Sequence, residues 1–171
     1  MLKINSILND SAKILSNYYI KTPKLDAEIL LSSVLKKSIK EMTFDDKINI
    51  NQKQLKLYRN LVTRRKYGEP VAYILNKKEF WKYNFYVDRN VLIPRPDTEI
   101  IIEETLKLLN KDAKKSVLDI GTGSGCIIIS LAKERSKLYG SAIDISKKAI
   151  KVAKINAKIH QLKNRINFYN S

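Results

Sequence analysis

Cysteine and histidine each occur once in the 171-residue sequence, as Cys126 and His160. A single cysteine excludes an internal disulfide and fits a reducing cytosol. No apolar run approaches the ~20 residues needed to span a membrane. Lys3, Asn5, Ser6, Asn9 and Asp10 interrupt any signal-peptide core at the N-terminus. The sequence therefore reads as soluble and cytoplasmic, with no membrane partner. Acidic residues are also scarce, 17 against 33 basic, for a net charge of +16. That balance favours an acidic partner such as RNA, a ribosome-associated protein or an anionic surface. Lysine, isoleucine and asparagine are abundant throughout, however, as biased base composition would also produce. The length suits one ordinary domain or two small ones.

Glycine is absent before Gly68, and that first stretch holds only one proline, Pro23. It reads as a small helical bundle. Ile4, Ile7, Leu8, Ile14 and Leu15 recur at near-helical spacing. Thr22 as N-cap with Pro23 at the first helical position opens a second helix through Leu25, Ile29, Leu30, Val34 and Leu35. A third runs from about Asn51 through Leu55, Leu57, Tyr58, Leu61 and Val62. It ends in Arg64-Arg65-Lys66, where the helix dipole favours cations. Such a bundle is either a docking module for a macromolecular substrate or a stabilising cap on the domain behind it. Gly68-Glu69-Pro70 then breaks the helices. Val71 to Leu75 reads as a strand, Asn76-Lys77-Lys78 as a turn, and Phe80-Trp81 with Phe85-Tyr86-Val87 as the rest of a β-hairpin or short ribbon. Its aromatics could line a cleft or glue helices to sheet, the commoner arrangement. In Leu92-Ile93-Pro94-Arg95-Pro96-Asp97-Thr98-Glu99, two prolines keep the backbone extended. Asp97 or Thr98 is expected to cap a helix carrying Ile100, Ile101, Leu106, Leu108 and Leu109.

The most informative stretch is Val117–Gly125, VLDIGTGSG. Val117, Leu118 and Ile120 form a short unalternating run, the pattern of a strand buried on both faces of a parallel sheet. Gly121, Gly123 and Gly125 follow at alternating positions, and Ile127, Ile128 and Leu131 open a helix. Glycine there permits positive φ and close approach of a ligand to backbone N–H groups. About twenty residues on, Ala142-Ile143-Asp144 places a carboxylate at the end of a second strand, where it could hold a ribose diol. Cys126 occupies the position where the dinucleotide fingerprint has its third glycine. The spacing suits a cofactor without phosphates, such as S-adenosyl-L-methionine, better than a pyrophosphate. Predicted cofactor-binding residues are Gly121, Thr122, Gly123, Ser124, Gly125 and Asp144. Asp119 is expected to shape the turn or meet the methionine end. Cys126 is expected to be a small buried helix residue, and His160 a solvated residue near a helix end. No metal site is assigned.

GEPVAYI (Gly68 to Ile74), EFW (Glu79 to Trp81), LIPRPDTE (Leu92 to Glu99), LDIGTGSG and IDIS (Ile143 to Ser146) resemble the glutamine N5-methyltransferases of the PrmC/HemK family. The DAEILL stretch from Asp26 to Leu31 is similar to the family's helical N-terminal domain. The resemblance implies an α/β fold. Its parts would be a helical docking domain over residues 1–67, a β-hairpin linker over 68–95, and the first part of a class I, Rossmann-like methyltransferase domain over 96–171. It implies S-adenosyl-L-methionine held by Gly121 to Gly125 and Asp144. The implied substrate is the glutamine of the Gly-Gly-Gln loop in peptide chain release factors, so the implied process is translation termination.

Two departures from the family pattern stand out. Asn76 occupies a position where the family commonly has glycine, and asparagine tolerates left-handed φ. The family's Asn-Pro-Pro-Tyr motif, which receives the glutamine side chain, does not occur in these 171 residues. Only three methyltransferase strands are predicted, Ser116 to Ile120, Tyr139 to Asp144 and Arg165 to Tyr169, where the fold needs about seven. The expectation is a fragment or incomplete gene product, inactive on its own and aggregation-prone at an exposed strand edge. Alternative readings are a ribosomal-protein glutamine or RNA methyltransferase, or a non-catalytic binding fragment.

Overall fold

The computed structural model describes residues 4–44, 49–110 and 114–171. The chain forms two compact units, Met1–Leu75 and Asn76–Ser171.

The first unit is helical: α1 (Ile4–Asn17), α2 (Pro23–Leu35), α3 (Ile39–Phe44), α4 (Gln52–Lys66) and a one-turn α5 (Val71–Ile74). Leu15, Ala27, Leu30, Leu31 and Tyr58 are its most buried side chains. Asn51 opens α4 with a capping box, its side chain accepting from Gln54 N–H while Gln54 answers to Asn51 N–H. At the other end the cations are paired as well as dipole-favoured. Arg64 forks onto Glu69 at 2.7 Å, and Arg65 reaches Asp26 of α2 at 2.6 Å. Thr22 and Pro23 occupy the N-cap and first helical position of α2 as expected, although the Thr22 hydroxyl donates to the Asp26 carboxylate and makes no side-chain cap bond. The short α3 adds a helix that sequence periodicity did not predict. Val71–Ile74 is a helical turn rather than a strand, because the Tyr73 and Ile74 N–H groups both close on the Pro70 carbonyl and Ile74 is buried in the helical core. The β-propensity of Val71 yields to that local closure.

The second unit opens with a ribbon, β1 (Lys78–Phe80) antiparallel to β2 (Tyr83–Phe85). Its turn is Trp81-Lys82, not Asn76-Lys77-Lys78 as the sequence suggests, and Trp81 adopts φ 57° to make it. Asn76 does take the left-handed conformation, with φ 50°, and its amide donates to the Val87 carbonyl. Phe80 and Phe85 are fully buried and meet edge to face, which makes them glue. A 3-10 turn at Pro96–Thr98 then leads into α6 (Glu99–Leu108). Neither Asp97 nor Thr98 caps it by a side-chain bond; Glu99 reaches back to the Trp81 N–H instead. Ile102 is the buried residue of α6, while Ile100, Ile101 and Leu108 are exposed.

Three parallel strands follow, β3 (Lys115–Ile120), β4 (Leu138–Asp144) and β5 (Ile166–Asn170), in the order β3-β4-β5. The crossovers are α7 (Cys126–Glu134) and α8 (Lys147–Ile159). This is the α/β architecture of a partial Rossmann-like domain, with alternating strand and helix and a parallel sheet. Gly140 lets α7 approach β4: a Cβ there would lie 2.7 Å from the Ile128 side chain. Burial of β3 on both faces is not found. Val117 and Asp119 lie on the same side as buried Gly140 and Ala142, whereas Leu118 and Ile120 are 53% and 77% exposed. Among the described residues, the apolar run of β3 is covered on one face only.

Candidate functional site

The predicted site residues converge at the carboxyl ends of β3 and β4. The register pairs Ile120 with Ile143, so the turn after β3 and the carboxylate ending β4 emerge side by side. The Gly121 and Thr122 N–H groups both donate to the Ile143 carbonyl, at 2.8 and 3.0 Å, and Gly125 N–H returns to the Thr122 carbonyl at 2.8 Å. Gly121, Gly123 and Gly125 have φ of 74°, 55° and 80°, the left-handed region that glycine enters without penalty. Their surroundings differ. A Cβ on Gly121 would meet nothing within 4 Å, which leaves backbone open to a ligand, whereas one on Gly125 would sit 3.0 Å from Ile129 and 3.3 Å from Ala153. Gly125 thus serves helix packing, and Gly121 and Gly123 form the accessible cradle.

Asp144 closes the bend. One carboxylate oxygen accepts from Gly123 N–H and the other from Ser146 N–H, each at 2.9 Å. Each oxygen has a further lone-pair direction, so ribose hydroxyls can still be accepted. Ile145, beside it, is 87% exposed and offers an apolar surface at the mouth. Ser146 caps α8 through its hydroxyl, which accepts from Ala149 N–H.

Thr122 and Ser124 face inward and are nearly fully buried, so their side chains shape the turn. The Thr122 hydroxyl donates to Asp119 at 2.7 Å. Burial raises the Asp119 carboxyl above its ordinary range, and that hydrogen bond opposes the shift. Cys126 begins α7, buried as expected, and burial pushes its thiol up to about 11. It remains a neutral thiol at physiological pH.

Asn156 was missed by sequence reasoning. Wholly buried at 0% exposure, it accepts from Tyr86 N–H at 2.7 Å and donates to the Tyr86 carbonyl at 2.9 Å and the Ser124 carbonyl at 2.8 Å. A single amide thereby ties the ribbon's exit to the glycine turn. Its spacing with Ala149, Val152, Ala153 and Ala157 places it on the apolar face of α8, which is the signal that could have found it. Glu134 at the end of α7 does similar work on the ribbon. It accepts from Trp81 Nε1 at 2.9 Å, Tyr83 OH at 3.1 Å and Lys82 Nζ at 3.1 Å. Burial pushes its carboxyl up, but these donors outweigh burial and hold it below the ordinary value. His160 corrects an expectation. It is half-buried, bonded to the Asn84 carbonyl at 2.9 Å and packed on Tyr83 and Phe85; burial lowers its pKa.

Among the described residues, no three His, Cys, Asp or Glu side chains group as a metal site, and no helix is long and apolar enough to cross a membrane.

Residues 6–75 match the family described as PrmC N-terminal domain, and residues 111–171 match a methyltransferase domain family. The release factor glutamine methyltransferase of Coxiella burnetii is 50% identical over 87% of this chain and 53% of its own length. That of Buchnera aphidicola subsp. Schizaphis graminum is 42% identical over 99% of this chain and 61% of its own length. A bifunctional methyltransferase of Rickettsia typhi is 37% identical over 98% of this chain and 36% of its own. The chain thus spans about half the length of the first two relatives, and about a third of the last. By these matches the chain is similar to the PrmC family, with residues 6–75 matching its N-terminal domain and residues 111–171 matching a methyltransferase domain.

Proposed function

We propose that this chain supplies the cofactor-binding and substrate-docking portion of an S-adenosyl-L-methionine-dependent methyltransferase. The substrate is the amide nitrogen of the glutamine in the Gly-Gly-Gln loop of peptide chain release factors. The observation that carries this reading is the junction of the glycine turn with Asp144 at the ends of two adjacent parallel strands. Gly121 and Gly123 present open backbone for an amino-acid tail, Asp144 has acceptor capacity for a ribose diol, and Ile145 gives a purine an apolar rest. Gly125, Thr122 and Ser124 hold that surface in place from behind. The relatives described above support the substrate.

When bound, S-adenosyl-L-methionine supplies an activated methyl group. The chain's own task is to place it. An amide nitrogen is a poor nucleophile because its lone pair is delocalised, so transfer depends on holding the amide in line with the methyl group. By resemblance that holding falls to the Asn-Pro-Pro-Tyr motif, which these residues do not contain. Gly121 to Gly125 and Asp144 therefore account for cofactor binding, the helical unit for docking of the release factor, and neither for turnover alone. Contact with RNA or the ribosome through the basic surface is a finer reading, favoured by the lysines of α8.

Titration calorimetry tests the cofactor site. The chain should release heat with S-adenosyl-L-methionine, and Asp144→Ala should weaken binding at least tenfold. No heat from a folded wild-type sample, or unaltered binding in the variant, would overturn the assignment. Transfer of label to the release-factor glutamine, by a protein combining this chain with the Asn-Pro-Pro-Tyr motif, tests the substrate.

A further inference from the structure

Helix α8 carries five lysines and no acid, and between Ile145 and Ser171 there is no aspartate or glutamate at all. Lys147, Lys151, Lys154 and Lys158 recur at intervals of four, three and four residues, which aligns them in one stripe along the helix. At a rise of about 1.5 Å per residue, successive charges lie about 4.5–6 Å apart along the axis. All four are exposed, and among the described residues none pairs with a carboxylate. Such an arrangement works against the helix itself. Like charges three and four residues apart repel, and Lys147 and Lys148 sit in the first turn, where the dipole favours acids. By contrast, two cations at the end of α4 are paired, Arg64 with Glu69 and Arg65 with Asp26.

The stripe borders a groove. Between α8 and β5 lies a cavity of about 520 Å³ that is rimmed by Lys154, Lys158 and Lys163 and floored by Ile155, Ile166 and Phe168. Phe168 is half-buried, with part of its side chain still accessible. Cations along the rim of an apolar, aromatic-floored groove are the arrangement that holds a single nucleic-acid strand: phosphates pair with the rim, and an unstacked base lies against the floor. A segment of acidic residues alone would satisfy the lysines but leave the aromatic floor without a matching group.

We propose that the α8–β5 groove binds single-stranded nucleic acid, with phosphates on Lys154, Lys158 and Lys163 and base contact at Phe168. Lys151 and Lys147 continue the same track toward Ser146 and Asp144, so a bound strand runs toward the glycine turn. This inference rests on the reading of the basic surface as an RNA contact and does not depend on the methyl-transfer reading. The test is fluorescence anisotropy of the 171-residue chain with a labelled single-stranded oligouridine, titrated at several salt concentrations. Three to five phosphate contacts predict a log–log salt slope between about −2 and −4. Lys154→Glu/Lys158→Glu/Lys163→Glu should weaken binding at least tenfold. Lys13→Glu/Lys53→Glu/Lys56→Glu changes the net charge equally at exposed lysines elsewhere and should weaken it less than threefold. Poly-glutamate at equal charge concentration should fail to displace the strand. Equal losses in the two variants would reduce the effect to net charge, and efficient displacement by poly-glutamate would reassign the groove to an acidic protein; either result overturns the proposal.

Discussion

Replacing Asn156 by alanine should destabilise the second unit by about 3 kcal/mol. The side chain makes three hydrogen bonds to backbone groups, two on Tyr86 and one on Ser124, at a site with no exposure. Each bond contributes about 1 kcal/mol net, and a buried group left without a partner costs about 1–3 kcal/mol. The residues that lose partners are the ribbon's exit and the glycine turn, so the proposed cofactor binding should weaken along with stability. Urea unfolding followed through Trp81, the single tryptophan, reads the first effect, and calorimetry with S-adenosyl-L-homocysteine reads the second. Asn156→Asp sharpens the test. A carboxylate keeps the acceptor for Tyr86 N–H but faces the Ser124 and Tyr86 carbonyls with no donor, so it should be worse than alanine near neutral pH. Acidification that protonates it returns one donor, and part of the lost stability should come back. A loss under about 1 kcal/mol for Asn156→Ala, or an Asn156→Asp variant indifferent to pH, would refute the bridging role.

Gly140→Ala should cost about 1–3 kcal/mol by overpacking, since the new methyl would lie 2.7 Å from the side chain of fully buried Ile128. Combining it with Ile128→Ala should cost less than the sum of the two single losses in the same urea assay. Because burial lowers the folded-state pKa of His160 from its ordinary 6.5, its contribution is complete above about pH 6.5 and is lost as pH falls from there through the folded value. Trp81 emission and urea midpoints should register that loss, and His160→Gln should flatten the response between pH 7 and 5. Glu134→Ala should release Trp81 Nε1 and Tyr83 OH. Its expected cost is about 1–2 kcal/mol, with little from exposed Lys82, and hydrogen exchange should rise selectively in β1 and β2.

What could be read from residues alone was mostly what is settled locally. The glycine turn was legible because positive φ is a property of single residues, and each of Gly121, Gly123 and Gly125 shows it. The three parallel strands fell within a residue of prediction because short stretches of apolar and aromatic residues, set off by helices and turns, leave little choice. Val71–Ile74 was misread, since a four-residue apolar run does not distinguish a strand from one helical turn, and the Pro70 carbonyl decides between them. Asn156 and Glu134 were missed for another reason. A polar helix residue usually faces water, and although Asn156 falls on the apolar face of α8, it is tertiary packing that supplies the partners these two bridge, in segments 32 to 70 residues apart. The open face of β3 also belongs to tertiary structure, because an apolar run announces that it can be covered without saying by what.

The two backbone bonds made by Asp144 carry a consequence for reading this family of bends. Its carboxylate joins the end of one loop to the start of the next before any nucleoside arrives. A descendant that had given up methyl donors entirely would still need an acid there to keep its chain from gaping. An acid at that position therefore testifies to architecture first, and chemistry has to be demonstrated by weighing the ligand.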